Sequence, residues 1–466
     1  MWLAVVFASL LASVGPARAA TRRTSGASIR ADRSPSLKLA TASGLGFEQV
    51  GGDLCATWTP QLQLRGEGVE LQLAPTLRMV ASSSRGDYGL RDRDWDERSE
   101  WLRPLRRLLL RSSGGGASLE LTGDLGLTLG HGALVDGARA GLLPDSYRAA
   151  LHARLAQGPL QLEVYGDDVT RFGVFATRLG VQPLGDRHGA PASGLGSWTL
   201  ALESVADRDA PIAVQDASGA TIGSRAAPRV AGLVESSWTL LSGPTLALRT
   251  FVGAGVVSHD ERTGWGLDGG LLLALRDARR PQPWLQLLVA PVYGSGVWLP
   301  GGVDAGYQLE RRDLAHEPLS ARLARVAAAG GVGVGVRSSV QWTPLPSLSL
   351  RAETRLLPQA DRAADGMTTD GRHLDGDLSA WSLAGRWQQG DWAANAGWLR
   401  RPGGLHLVAI GGGVQLLPWL RSDLRVERAM HQARGGPMQP QWDVGLTLTA
   451  SLPAPTGSAG TGANDG

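Results

Sequence analysis

Apolar and polar side chains take turns along most of this chain. Val69, Leu71, Leu73, Pro75, Leu77 and Met79 alternate with Glu70, Gln72, Thr76 and Arg78. Leu54, Ala56, Trp58, Leu62 and Leu64 do the same against Gln61, Gln63 and Arg65. A period of two places one set on each face of a β-strand, and Gly66-Glu67-Gly68 between the runs predicts a hairpin turn. The design recurs at 118–129, 147–155, 160–165, 348–356, 381–388 and 442–452. Trp392 to Arg400 and Leu405 to Leu416 form a further hairpin across Pro402-Gly403-Gly404.

The length of the runs decides what kind of strand they make. Strands of soluble proteins average about 5–6 residues, whereas a tilted strand crossing a bilayer needs about 9–11. Many runs here hold their alternation that long, and no apolar stretch approaches the length of a spanning helix. Short turns alternate with long polar segments at 81–116, 204–229, 299–318 and 357–378, as in barrels with short turns at one end and long loops at the other. The expected fold is all-β, an antiparallel transmembrane β-barrel of about 16 strands over residues 51–452; residues 170–197 and 319–340 resist parsing.

One segment repeats without gaps. Val340 to Glu353 (VQWTPLPSLSLRAE) aligns with Val414 to Glu427 (VQLLPWLRSDLRVE), and each copy reads as strand, Pro-containing turn, and strand carrying Leu-Arg-x-Glu. Proline ends a ladder because it has no N–H to donate. This turn style resembles the short periplasmic turns of bacterial outer-membrane barrels. Composition agrees: tryptophan outnumbers tyrosine and phenylalanine, 16 against 5 of each, and indole rings favour the headgroup level of a bilayer. Trp58, Trp198, Trp238, Trp284, Trp298, Trp342, Trp398, Trp419 and Trp442 all fall in or beside the expected strands.

The N-terminus points to export. Leu3 to Gly15 is an apolar run followed by Pro16 and Ala17-Arg18-Ala19, the layout of a secretory signal peptide over residues 1–19, although Met1-Trp2 supplies no basic side chain. Residues 20–50, rich in Arg, Ser and Thr, read as a flexible lead-in. The tail 453–466 reads as flexible too, and stands where outer-membrane barrels carry a terminal aromatic residue. Removing Arg18 with the signal takes the net charge from +3 to +2. No concentrated basic face suggests a nucleic-acid partner. Cys55 is the only cysteine, which excludes a disulfide framework and a cysteine metal site.

Residues 85–111 break the pattern. A charged stretch from Arg91 to Glu100 precedes Trp101, Leu105, Leu108 and Leu109, which share one helical face. Three readings stand: a helix folded into the lumen as a plug, a basic amphipathic helix on a membrane surface, or a charged loop with a short helical insertion. Together with Leu125-Gly126-Leu127-Thr128-Leu129-Gly130-His131-Gly132-Ala133-Leu134-Val135, this block resembles one found in uncharacterised porin-like outer-membrane β-barrel proteins of Gram-negative bacteria. The resemblance implies location in the cell outer membrane, reached through the periplasm, and implies no activity.

Chemistry is sparse. The eight histidines show no metal-ligand spacing, Gly166-Asp167-Asp168 supplies too few oxygens for calcium, and the glycines of 330–335 lack the Lys-Ser/Thr of a phosphate loop. His259-Asp260-Glu261-Arg262 offers the one acid/base grouping, in a loop. No catalytic, cofactor or metal site is expected. What remains is the polar face, whose expected lumen-facing members are Arg148, Arg154, Glu163, Arg351, Glu353, Arg355, Arg386, Arg425 and Glu427, with Arg65, Glu70, Arg78 and Glu120. Their mixed signs argue against a strongly selective filter. The expected function is a passive, porin-like channel for small solutes and not an enzyme. The alternatives are a non-conducting structural or adhesion barrel plugged by 85–111, and a hydrolase with a loop site near His259. Outer-membrane lipid, lipopolysaccharide and the barrel-assembly machinery are the expected partners; the oligomeric state stays open.

Overall fold

The computed structural model describes residues 37–83, 88–95, 98–123, 126–138, 147–182, 197–215, 221–277, 280, 282–299, 303–304, 307, 333–357, 380–400, 406–432 and 438–452. The expected signal peptide, the first part of the lead-in, the tail and most of 357–378 lie outside the described residues.

The strands in chain order are β1 (Lys38–Val50), β2 (Asp53–Gly66), β3 (Val69–Leu73), β4 (Leu77–Ser82), β5 (Gly89–Leu90), β6 (Leu105–Arg111), β7 (Ala117–Thr122), β8 (Val135–Asp136), β9 (Ala150–Gln157), β10 (Leu160–Gly166), β11 (Val174–Val181) and β12 (Trp198–Gln215). They continue as β13 (Thr221–Ser242), β14 (Leu246–His259), β15 (Arg262–Leu275), β16 (Leu285–Ser295), β17 (Val303–Asp304), β18 (Gly333–Leu345), β19 (Leu348–Leu356), β20 (Ala380–Gln389), β21 (Trp392–Arg400), β22 (His406–Leu417), β23 (Leu420–Gln432) and β24 (Met438–Leu452). Each wall strand pairs antiparallel with its neighbours, and β24 pairs with β1 from Thr41↔Leu452 to Gln49↔Val444. The sheet therefore closes on itself and leaves no edge. β3 and β4 are halves of one broken strand, and β5 continues the position of β6, so the closed wall has 20 strands.

Several expectations change here. The barrel has 20 strands and not about 16. One of the additions, β1, occupies Lys38–Val50, inside the expected lead-in. Its Ala, Ser, Thr and Gly residues alternate too weakly to announce a strand, and pairing on both sides supplies the order. Residues 204–229, expected as a loop, belong largely to β12 and β13, which pair from Trp198↔Trp238 to Gln215↔Thr221. Among the described residues of 85–111 there is no α-helical insertion. The described part makes two single-turn 3-10 segments, Asp92–Asp94 and Arg98–Leu102, followed by β6. The run Leu105 to Leu110 fits a buried strand as well as a helix face, and pairing with β3 and β7 decides it.

Side-chain parity divides outside from inside. On β14, Leu246, Leu248, Val252 and Val256 face out, while Phe251, Val257 and His259 are buried. Phe47 and Val256 are 64% and 63% exposed, which water would penalise and a hydrocarbon surround rewards. Trp392 and Trp398 share the outer face of β21, six residues or about 20 Å apart at 3.3 Å per residue. That spacing suits two interfacial girdles flanking an apolar band of about 25 Å. One rim carries the barrel's two ends, Lys38 and Leu452, and short turns such as Gly158-Pro159 and Pro418-Trp419; the other carries most of the long connections.

The repeated hairpins lie at the same rim, as their spacing implied. Their turns are two residues out of step, Pro346-Ser347 against Pro418-Trp419. A slip of two preserves parity where a slip of one would reverse it. Arg351 and Glu353 therefore face the lumen as Arg425 and Glu427 do.

Candidate functional site

The lumen is partly filled from within. The segment Leu127–Ala138 leaves the loop rim, turns back on the pairing Leu127↔Ala138, and adds β8 alongside β17. Leu129, Leu134 and Val135 pack with Trp298, Leu299, Val303 and Tyr307 against inward-facing Val205, Leu233, Val257 and Val292. A plug is one of the three readings of 85–111; it is carried instead by the glycine-rich block 127–138 and part of the connection after β16. Trp298, expected within or at the end of a strand, is buried in the plug.

A row of ions ties the plug to the wall. His131 stacks on Phe251 with centroids 4.1 Å apart, and its Nδ1 lies 2.9 Å from Glu235 Oε2. Arg337 Nη1 donates to the carbonyl of Gly132 at 2.7 Å, and Nη2 to the carbonyl of His131 at 3.2 Å and to Asp268. Arg178 Nε donates to Glu203 Oε1 at 3.1 Å. Gly130 and Gly132 both lie in the left-handed region, φ +54 and +83, and a Cβ on Gly130 would sit 1.9 Å from Glu203 Oε1. Only glycine combines that backbone with that approach. Buried ions of this sort are costly when one partner is missing, so the row fixes where the plug can sit.

At the loop rim the charges of 85–111 find their purpose. Asp94 is fully buried and accepts from Arg78, Arg91 and Arg103 at 2.8–3.0 Å. Arg103 also reaches Glu100, and Arg78 reaches Glu48 on β1. Arg148, expected to face the lumen, precedes β9 and donates to Asp167 at 2.8 Å. Asp167 also accepts from the Val174 N–H, and Asp168 from Thr170. That corner is structural. Among the described residues no group of three or more His, Cys, Asp or Glu is placed to hold a metal ion.

The described residues line two sizeable cavities, the first of them against the plug. A cavity of about 380 Å³ separates the plug from β18–β20 and is lined by His131, Arg337, Arg351, Glu353, Arg355 and Ser382, among others. A cavity of about 790 Å³ lies between the wall around β1, β4 and β6 and the wall of β20–β24; Glu48, Arg78, Arg106, Arg386, Arg425 and Glu427 line it. Of the expected lumen residues, Arg351, Glu353 and Arg355 thus stand in one space and Arg386, Arg425 and Glu427 in the other. Arg154 and Glu163 pair in register between β9 and β10, with His152 Nε2 3.8 Å from Glu163.

His259 ends β14, with Arg229 and Arg262 as its cross-strand neighbours. Asp260 pairs with Arg225, so the nearby acid is committed to an arginine. The residues that sequence reasoning missed, Arg178, Glu203, Glu235, Asp268 and Arg337, all sit at inward parity. Parity was the available signal, but only pairing register shows that they fall on one belt.

No protein-family description and no curated protein matches the chain. Among solved structures the chain is similar to the copper transporter OprC, with 10% identity over 91% of this chain and 81% of that one and a TM-score of 0.34. It is similar also to a multiply substituted porin of Rh. blastica, with 10% identity, 90% and 100% coverage and a TM-score of 0.25. A third is OccAB2 of Acinetobacter baumannii, with 10% identity, 90% and 98% coverage and a TM-score of 0.32. These are likenesses of outer-membrane barrel fold, and no function passes across them.

Proposed function

We propose that the protein is a porin-like channel of the Gram-negative outer membrane, passing small solutes through the space left beside its plug. The observation that carries this reading is the 790 Å³ cavity, lined by charged and polar side chains and glycines on a wall of 20 strands. Small barrels fill their interior with side chains, whereas wide ones retain aqueous space. Polar donors and acceptors in such a space replace the hydration of a passing solute.

The apolar outer band makes membrane lipid a proposed partner, lipopolysaccharide included, and folding into a membrane implies help from the barrel-assembly machinery. The rim with both barrel ends and the short turns is assigned to the periplasm. Planar-bilayer recordings on the refolded protein test the reading. Discrete conductance steps are expected; a folded sample, shown by a heat-dependent shift on gels, that gives no conductance would overturn it. A closed barrel is the second reading, and the buried ions pinning the plug at Glu235, Asp268 and Arg337 are the observation in its favour.

A further inference from the structure

The charges around the larger cavity are not evenly spent. Its acids are engaged: Glu48 with Arg78, Asp423 with Arg421, Glu427 with Arg425, and Asp443 with the Gly51 N–H. Two of its arginines are not held by acids. Arg386 has no acidic partner among the described residues, and Arg106 donates only to the hydroxyl of Thr76, at 3.2 Å. Among the described residues the cavity therefore presents cationic donors with unused capacity and no matching free carboxylate.

Backbone register shows how they meet. Arg386 pairs with Asn395, Asn395 with Gly411, and Gly411 with Arg425. Arg386 and Arg425 thus stand on one row, three strand spacings or about 14 Å apart at the backbone, which two long guanidinium side chains can bridge. A Cβ on Gly411 would meet the Asn395 amide at 2.6 Å, so the glycine makes room for that amide between the two arginines. On the facing wall, β3 pairs Gln72 with Arg107 but Leu73 with Leu105. Arg106 is the unmatched residue of this bulge, and a bulge re-aims a side chain that regular alternation would turn outward. It lines the same cavity as Arg386, Asn395 and Arg425.

We propose that this cavity binds a small oxyanion, a carboxylate or a phosphate, between Arg106 on one wall and Arg386 and Arg425 on the other. Guanidinium groups match oxyanions in shape and donor number, and Arg425 turns to the ligand while remaining beside Glu427. The inference deepens the channel reading and names its solute class. It also qualifies the mixed-sign expectation, because paired charges cancel and the unpaired ones set the local field.

The test has two independent arms. Calorimetry on the folded protein in detergent, titrated separately with inorganic phosphate and with acetate, reads binding without requiring conduction. Bilayer reversal potentials in a potassium chloride gradient read selectivity. Wild type is expected to bind one of the two oxyanions and to favour chloride over potassium. Arg106→Gln with Arg386→Gln is expected to lose at least tenfold in oxyanion affinity and to shift selectivity toward potassium, with the heat-dependent gel shift intact. Arg386→Lys is expected to keep the selectivity and weaken oxyanion binding. Equal affinity in wild type and the double Gln variant overturns the site, as does a potassium-preferring wild type. A silent bilayer with oxyanion binding intact removes the channel and leaves the site standing.

Discussion

The indole of Trp298 lies in a recess that Gly266 keeps open: a Cβ there would be 2.1 Å from the indole Nε1. Gly266 sits at inward parity on β15, and Gly255 on β14 makes room for the far edge of the same ring. One large side chain of the plug is therefore received by two strands that have surrendered theirs.

Gly266→Ala is expected to displace that ring. Overpacking of this kind costs about 1–3 kcal/mol, read as a lower midpoint in urea unfolding. Trp298→Ala removes the ring and costs about 3–5 kcal/mol. The double variant should lose clearly less than the sum of the two, because the clash vanishes with the ring. Strict additivity would show that the recess does not hold Trp298.

Arg337 joins four acceptors at once, on Gly132, His131, Asp136 and Asp268. Arg337→Ala leaves Asp268 buried and uncompensated, a loss of about 3–5 kcal/mol. Arg337→Lys should restore only part of it, since an ammonium cannot repeat the planar fork. Full rescue by lysine in an unfolding titration would mean that charge alone matters there.

Replacing 127–138 by a Gly-Ser linker is expected to leave a closed barrel, because the wall pairs without it. Unit conductance should rise severalfold, and it should become noisier. A conductance unchanged from wild type would place the solute path away from the plug.

Val252 lies on the outer face near the middle of β14 and is half exposed. Val252→Arg is expected to cost about 2–4 kcal/mol in a bilayer, measured by folding into lipid vesicles, whereas Val252→Leu should be neutral within error. Tolerance of the arginine would argue that this face does not meet hydrocarbon.

Much of the wall was legible before any coordinates. Trp392 to Arg400, the hairpin at Gly66-Glu67-Gly68 and the twin turns near 346 and 418 follow from parity and proline, which are local properties of a strand. β1 escaped notice because its residues are small and weakly contrasted. The charged run from Arg91 to Glu100 misled for a related reason: Asp94 and Glu100 are buried ions, and burial of a charge is decided by partners distant in sequence. Parity assigned a face to the expected lumen arginines, but Arg106 could not be so assigned, since only a bulge against β3 turns it inward.

Alternation, turn chemistry and run length by themselves determined an antiparallel membrane-spanning barrel, because each strand needs one face for lipid and one for its interior. The number of strands, the closure of β24 on β1 and the choice of 127–138 as plug were decided only in three dimensions. Closure depends on register summed around the whole wall, and the plug depends on His131, Glu235, Asp268 and Arg337 meeting across four different segments. No local pattern encodes such a meeting; it exists only once the wall has curved round to make it.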